Sequence, residues 1–157
     1  MRCVIQRSGP ARVTIGGREV GAIAHGLVVL AAFAPADTDR ELEWMARKLP
    51  DLRLFEDGEG KLNRSLREAG GAILLVSQFT LYGDARKGNR PSFTASAPPA
   101  RAADLYERFS GLLRRQWPRV AEGEFGAMMD VELTNRGPVT LIVDREAPAA
   151  GGGAGDA

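Results

Sequence analysis

Two runs in this chain are too apolar for anywhere but the middle of a sheet. Residues 27–33 (Leu-Val-Val-Leu-Ala-Ala-Phe) carry no polar side chain, and Ile73-Leu74-Leu75-Val76 repeats the pattern after Gly70-Gly71. Both are short and bounded by glycine, so both read as strands covered on two faces rather than as buried helices. The second run continues into Ser77-Gln78-Phe79-Thr80-Leu81-Tyr82, where polar and apolar residues alternate until Gly83. Period two sets Gln78, Thr80 and Tyr82 on one face and Ser77, Phe79 and Leu81 on the other. A carboxamide and a hydroxyl standing about 7 Å apart on one strand can grip a polar substrate. Equally, they can form a strand face turned to water.

Composition narrows the chemistry. A chain of 157 residues fits one domain and buries about two-thirds of its unfolded surface. The net charge of +1 gives no global attraction to nucleic acid, so such contact must come from a local patch. The one cysteine, Cys3, lies in an apolar strand, which rules out an internal disulfide and fits a reducing, cytoplasmic setting. Neither a signal peptide nor an apolar run of membrane-spanning length is present. His25 is the only histidine, next to Gly26 in an expected turn. One His and one Cys cannot close a zinc site, and a His-dependent triad would have to use His25. No metal and no cofactor is expected.

In chain order, residues 2–7 form a strand broken by Ser8-Gly9-Pro10. Residues 12–15 and 19–24 flank a Gly16-Gly17 hairpin turn, and residues 27–33 follow. Asp37 is the expected N-cap of a helix whose Leu42, Met45 and Leu49 share one face and which Pro50 stops. Residues 52–56 read as a strand, 57–60 as a turn, and 63–69 as a short helix ended by Gly70-Gly71. Pro98-Pro99 opens a second main helix that buries Leu105, Phe109 and Leu112. On another face of it Arg101, Arg108 and Arg115 recur every seven residues, either as a solvated row or along an RNA backbone. Residues 129–134 and 139–143 read as strands joined by a turn at Asn135-Arg136-Gly137-Pro138. Between the sheet and the second helix, residues 84–93 form a loop carrying Arg86, Lys87 and Arg90. These cations either contact phosphates or simply solvate the loop.

Ser77-Gln78-Phe79-Thr80-Leu81, Gly88-Asn89-Arg90-Pro91-Ser92-Phe93 and Asn135-Arg136-Gly137-Pro138-Val139-Thr140 resemble, in order, three signature stretches of the D-aminoacyl-tRNA deacylase (D-tyrosyl-tRNA deacylase) family. Val4-Ile5-Gln6-Arg7 and the stretch from Arg53 to Asn63 extend the likeness, which runs to about Asp144. Ser8 and Arg136 depart from the pattern. The resemblance implies an α+β fold: a single domain, with antiparallel and mixed β-sheets forming a barrel-like core beside two main helices. The domain would span residues 1–145, leaving 146–157 as a flexible Ala/Gly-rich tail.

It further implies hydrolysis of the ester joining a D-amino acid, or glycine mischarged on tRNA-Ala, to the terminal adenosine of tRNA. The expected assembly is a homodimer with sites at the subunit interface; tRNA is the expected partner, with no DNA and no membrane. By the same likeness, Gly137-Pro138 is a cis bond inserted into the other subunit's pocket, where its carbonyls hold the α-amino group and exclude an L side chain. Arg7 braces that loop. Ser77, Gln78, Phe79 and Thr80 line the pocket, water attacks with help from the RNA's own 2′-hydroxyl, and Thr80 positions rather than attacks. Alternatives are a relaxed-chirality deacylase of the same superfamily and a non-catalytic RNA-binding protein.

Overall fold

The computed structural model describes residues 1–148. Its elements are β1 (Arg2–Ile15), β2 (Arg18–Ile23), β3 (Gly26–Ala32), α1 (Asp39–Asp51), β4 (Phe55–Glu56), β5 (Leu62–Arg64) and α2 (Leu66–Ala69). These are followed by β6 (Ala72–Ser77), a 3-10 turn η1 (Phe79–Tyr82), α3 (Pro99–Gln116), β7 (Val120–Glu122) and β8 (Asp130–Asp144). The expected tail lies almost wholly outside the described residues.

One strand organises the sheet. On one edge of β1, residues Arg2 to Ser8 pair antiparallel with β3 and residues Ala11 to Ile15 pair with β2; β8 runs along the other edge. Strand β3 pairs parallel with β6, and β6 parallel with β7. The sheet then curls until β2 meets β7, where a side chain on Gly21 would stand 2.3 Å from the carbonyl oxygen of Glu122. Only glycine permits that approach, and the sheet is a nearly closed barrel beside its helices. The α+β, barrel-like architecture matches the expectation.

The two apolar runs do bury both faces. Leu27, Val29, Ala31, Ile73 and Leu75 pack outward under α1 and α3, whereas Val28, Leu74 and Val76 pack into the barrel with Val13 and Ile23. Helix α3 supplies Leu105, Phe109 and Leu113 to the outer core, and α1 supplies Leu42, Met45 and Leu49. Truncating fully buried Phe109 to alanine removes an aromatic from this junction, a change that costs about 3–5 kcal/mol. Cys3, also fully buried, faces the same core from β1.

Several boundaries differ from the sequence reading. Residues 2–15 form one strand, because the partner on one edge changes from β3 to β2 around Gly9-Pro10 while β8 continues on the other. Thr38, not Asp37, caps α1; the buried Asp37 carboxylate instead takes the Met1 ammonium at 2.6 Å and the Ala34 N–H at 2.7 Å. Pro50 lies inside the last turn of α1 rather than ending it. Ser65 caps the short α2, and Asn63 belongs to β5 instead. β7, only three residues long, falls in a segment not read as structured. Among the described residues no helix is long and apolar enough to cross a membrane.

Candidate active site

The end of β6 builds one wall of the site. The ladder reaches Ser77, level with Ala31, and the Gln78 N–H makes a last bond of 2.8 Å to the Ala31 carbonyl. Gln78 then leaves extended geometry at φ −148, ψ 79, and residues 79–82 wind into η1. The expected strand through Tyr82, with Gln78, Thr80 and Tyr82 sharing one face, is therefore corrected. Leu81 N–H bonds the Gln78 carbonyl and Gly83 N–H bonds the Thr80 carbonyl, so turn hydrogen bonds replace the period of two. Gln78 and Thr80 still meet, because the turn carries the Gln78 amide onto the Thr80 hydroxyl, to which it donates. Arg2 fixes the turn from behind, donating to the Leu81 carbonyl at 3.0 Å while paired with Asp144.

Ser77, Gln78 and Phe79 line a cleft of about 830 Å³ together with Phe93, the start of α3 and the segment from Phe125 to Met129. Thr80 lies outside the lining, tied to it through Gln78. Phe79, Phe93, Phe125 and Met128 all expose more than a third of their surface here. Phe79 and Phe93 meet edge to face, 5.2 Å between centroids. Such a cluster suits a flat ligand that is apolar on its faces. Among the described residues, none that lines the cleft is ionisable. A second, shallower groove of about 330 Å³ sits on α1 around Trp44 and Lys48.

The residues sometimes recruited as nucleophile or base are placed elsewhere. Burial pushes the Cys3 thiol up to about 12. His25, a turn residue as expected, sits at the Gly26–Ala72 end of the β3–β6 pair, opposite Ser77, with Nε2 3.4 Å from the Ala69 carbonyl. Burial also pushes the Tyr82 phenol well above its usual range. Among the described residues the side-chain hydrogen bond to the Thr80 hydroxyl comes from the Gln78 amide, which is not a base.

The second constellation lies on β8. Between the pairs Gln6–Thr140 and Ser8–Asn135, β1 advances two residues while β8 advances five. Residues 136–139 are thus pushed out of the ladder as a wide bulge. The expected turn between two strands is corrected to this bulge within one strand. Asn135 closes it, its Oδ1 accepting from the Val139 N–H at 2.8 Å and its Nδ2 donating to Thr140 Oγ1 at 2.9 Å. The Gly137–Pro138 bond is cis, and Gly137 has φ +133. Arg7 reaches across from β1: Nε donates to the Arg136 carbonyl at 2.8 Å, Nη1 to the Leu54 carbonyl at 3.0 Å and Nη2 to Glu56 at 3.3 Å. A Cβ on Gly137 would stand 2.9 Å from Arg7 Nη2.

Within one chain these constellations are apart. The bulge faces Arg7, whereas Ser77 is level with Cys3 through Ala31. Four residues along β1 and three strands across the sheet separate them by about 13 Å and about 14 Å in the two directions.

The loop that follows η1 is closed by reciprocal Asp84 and Ser92 bonds of 2.8 and 2.9 Å. Arg86 folds back on Asp84, and its two guanidinium hydrogen bonds, with one from its backbone N–H, draw that carboxyl down to about 2. Lys87 and Arg90 are exposed and, among the described residues, form no ion pair. In the α3 arginine row, Arg101 donates to the Asp37 carbonyl at 2.7 Å and Arg108 pairs with Asp39, so two of its three members bind α3 to the start of α1. Sequence reading missed Asn135 as a clasp, Leu54 and Glu56 as anchors of Arg7, and Phe125 with Met128 as cleft wall. An Asn two residues before a Gly-Pro pair signals a local side-chain clasp. The others carry no local signal.

Comparison with known proteins places this architecture. The family model described as D-Tyr-tRNA(Tyr) deacylase matches residues 4–144. A D-aminoacyl-tRNA deacylase of Thermus aquaticus is 57% identical over 144 residues, covering 92% of this chain and 95% of that protein. One from Desulfatibacillum aliphaticivorans is 56% identical, covering 92% and 99%. Among solved structures, a c-Myc DNA Unwinding Element Binding Protein aligns with TM-score 0.88 at 41% identity, over 94% of this chain and all of that one. A probable eukaryotic D-amino acid tRNA deacylase shares the fold, with TM-score 0.80 at 22% identity. The chain belongs to the D-Tyr-tRNA(Tyr) deacylase family.

Proposed function

We infer that this protein hydrolyses the ester of D-aminoacyl-tRNA, releasing the free D-amino acid and tRNA. Glycine mischarged on tRNA-Ala is accepted as well, since it presents no side chain to exclude. The carrying observation is the pairing of a cis Gly137–Pro138 bulge, braced by Arg7, with a cleft wall that lacks any ionisable group.

A chirality filter must be rigid, because a side chain could swing away from an L substrate. Main-chain carbonyls on a bulge clasped by Asn135 and held by Arg7 cannot swing. They hold the α-amino group and leave no volume on the L side. Their distance from Ser77–Thr80 of the same chain supports a homodimer, in which each bulge enters the partner's cleft. The half-exposed Val131, Leu133, Val139, Leu141 and Val143 of β8 give that dimer apolar surface to cover.

The terminal adenosine stacks in the cleft among Phe79, Phe93 and Phe125, with Phe79 main-chain groups contributing. Water attacks the carbonyl carbon, the carbon–oxygen bond to the ribose breaks, and the 2′-hydroxyl of the RNA assists. Backbone N–H groups facing an oxyanion contribute about 3–4 kcal/mol each, which suffices for an activated ester without a side-chain base. Gln78 and Thr80 position the carbonyl. Lys87, Arg90 and, when released from Asp84, Arg86 meet the RNA backbone. The protein works in the cytoplasm, where tRNA is charged.

Matched D- and L-tyrosyl-tRNA decide the proposal: ester loss from the D form alone is expected, and equal loss from both would favour the relaxed-chirality reading. Thr80→Ala retains substantial deacylation; abolition of turnover with unchanged RNA binding would make Thr80 the nucleophile. Binding to DNA or RNA with both esters intact would support a non-catalytic nucleic-acid-binding protein, a reading kept open by the name of the 41%-identical relative.

A further inference from the structure

Arg136 is the residue of the bulge on which the deacylase reading places no demand. Its carbonyl is held by Arg7 Nε at 2.8 Å, so its backbone is fixed. Its side chain turns the other way and lies on Gly9 of β1. A Cβ added to Gly9 would stand 2.7 Å from Arg136 Nε, 3.2 Å from Nη2 and 3.3 Å from Cζ. The guanidinium therefore rests against bare backbone, on a shelf that any larger residue at position 9 would fill. Its Cα is one trans peptide, about 3.8 Å, from that of Gly137. Arg136 is exposed, and among the described residues its N–H groups meet no acceptor and no carboxylate pairs with it. Neighbouring Arg12 is by contrast already spent on Glu132.

We propose that Arg136 is a phosphate-binding residue that positions the 3′-terminal nucleotide of the substrate. The inference rests on the deacylase reading. If Gly137 and Pro138 meet the α-amino group of the ester, the cation one residue upstream approaches the same nucleotide. The ester sits on that ribose, and the anion nearest to it is the phosphodiester on the 5′-carbon of the same sugar. A planar guanidinium with five donors suits a phosphate, and the Gly9 shelf limits the freedom it would otherwise lose on binding. Lys87 and Arg90 would contact phosphates from the cleft's own chain; Arg136 would do so from the chain that supplies the filter.

The test compares wild type, Arg136→Gln and Arg136→Lys on three substrates. These are D-tyrosyl-tRNA, D-tyrosyl-adenosine 5′-monophosphate esterified on the ribose, and D-tyrosyl-adenosine, which has no phosphate. Arg136→Gln raises KM about tenfold on the two phosphate-bearing substrates, the loss of one charge-assisted contact, and leaves D-tyrosyl-adenosine unchanged. Arg136→Lys restores part of the loss. The log–log salt dependence of tRNA binding falls by about 0.7, as for one phosphate contact on a single strand. Equal loss on all three substrates, with a lowered melting temperature, would make Arg136 a support of the bulge and overturn the proposal. So would no loss on any substrate. Failure of the wild type on all three would overturn the deacylase reading itself.

Discussion

The wall at the end of β6 and the bulge on β8 follow opposite electrostatic designs. In the wall, Ser77, Gln78 and Thr80 are neutral, and the one side-chain bond among them joins an amide to a hydroxyl. In the bulge, a single guanidinium holds two carbonyls and a carboxylate, and a neighbouring amide clasps the backbone. On the proposed reading, a reacting carbonyl needs neutral donors that do not titrate near pH 7, which suits the first. Rejection of a mirror image needs backbone that does not yield, which suits the second. On that reading, charge holds the bulge rigid and is kept away from the reacting ester.

The most damaging way to break this contrast is Gly137→Ala. At φ +133, with Arg7 and Val139 atoms at 2.9 Å from the new Cβ, the bulge must shift. Turnover of D-tyrosyl-tRNA falls by at least about 100-fold, a loss of about 2.7 kcal/mol, while circular dichroism reports an intact fold. Arg7→Ala comes next. Losing hydrogen bonds to a charged donor costs about 1.5–3 kcal/mol, and here it loosens the filter rather than the wall. The ratio of D to L turnover drops about tenfold or more; an unchanged ratio would separate Arg7 from selectivity. Phe79→Ala acts on the wall, raising KM for tRNA by about tenfold through a lost stacking contact of about 1–3 kcal/mol and leaving the D/L ratio alone. The smallest effect is that of pH. Because no cleft-lining residue titrates, kcat/KM from pH 5 to 9 shows no bell whose limbs belong to the protein. A limb removed by substituting one side chain would reveal a base that the wall conceals.

What could be read from the chain alone divides along the same line. The apolar runs at residues 27–33 and 73–76, the Gly16-Gly17 turn and the Pro98-Pro99 helix start were legible because each is decided by neighbours in sequence. The residues of both constellations were legible as motifs, but their geometry was not. Ser77 to Tyr82 alternates like a strand, yet a 3-10 turn of four residues is too short to impose a period that would contradict it. Asn135-Arg136-Gly137-Pro138 has turn composition. Whether it reverses the chain or bulges out of it depends on β1, whose Arg7 lies 129 residues away. β7, three residues long, is held as a strand only by its parallel pairing with β6.

The buried thiol of Cys3 has a practical consequence. Cys3 points off the sheet into the core shared with α1 and α3, so a reagent reaches the sulfur only when that packing opens. The chain thus carries a built-in clock: the rate of maleimide capture under native conditions reports how often the core between the sheet and its helices opens. Alkali drives the same event. With the folded thiol at about 12 against 9.0 when free, the protein binds the extra proton, and stability is lost as pH climbs from about 9 toward 12. Cys3→Ala silences both signals at once.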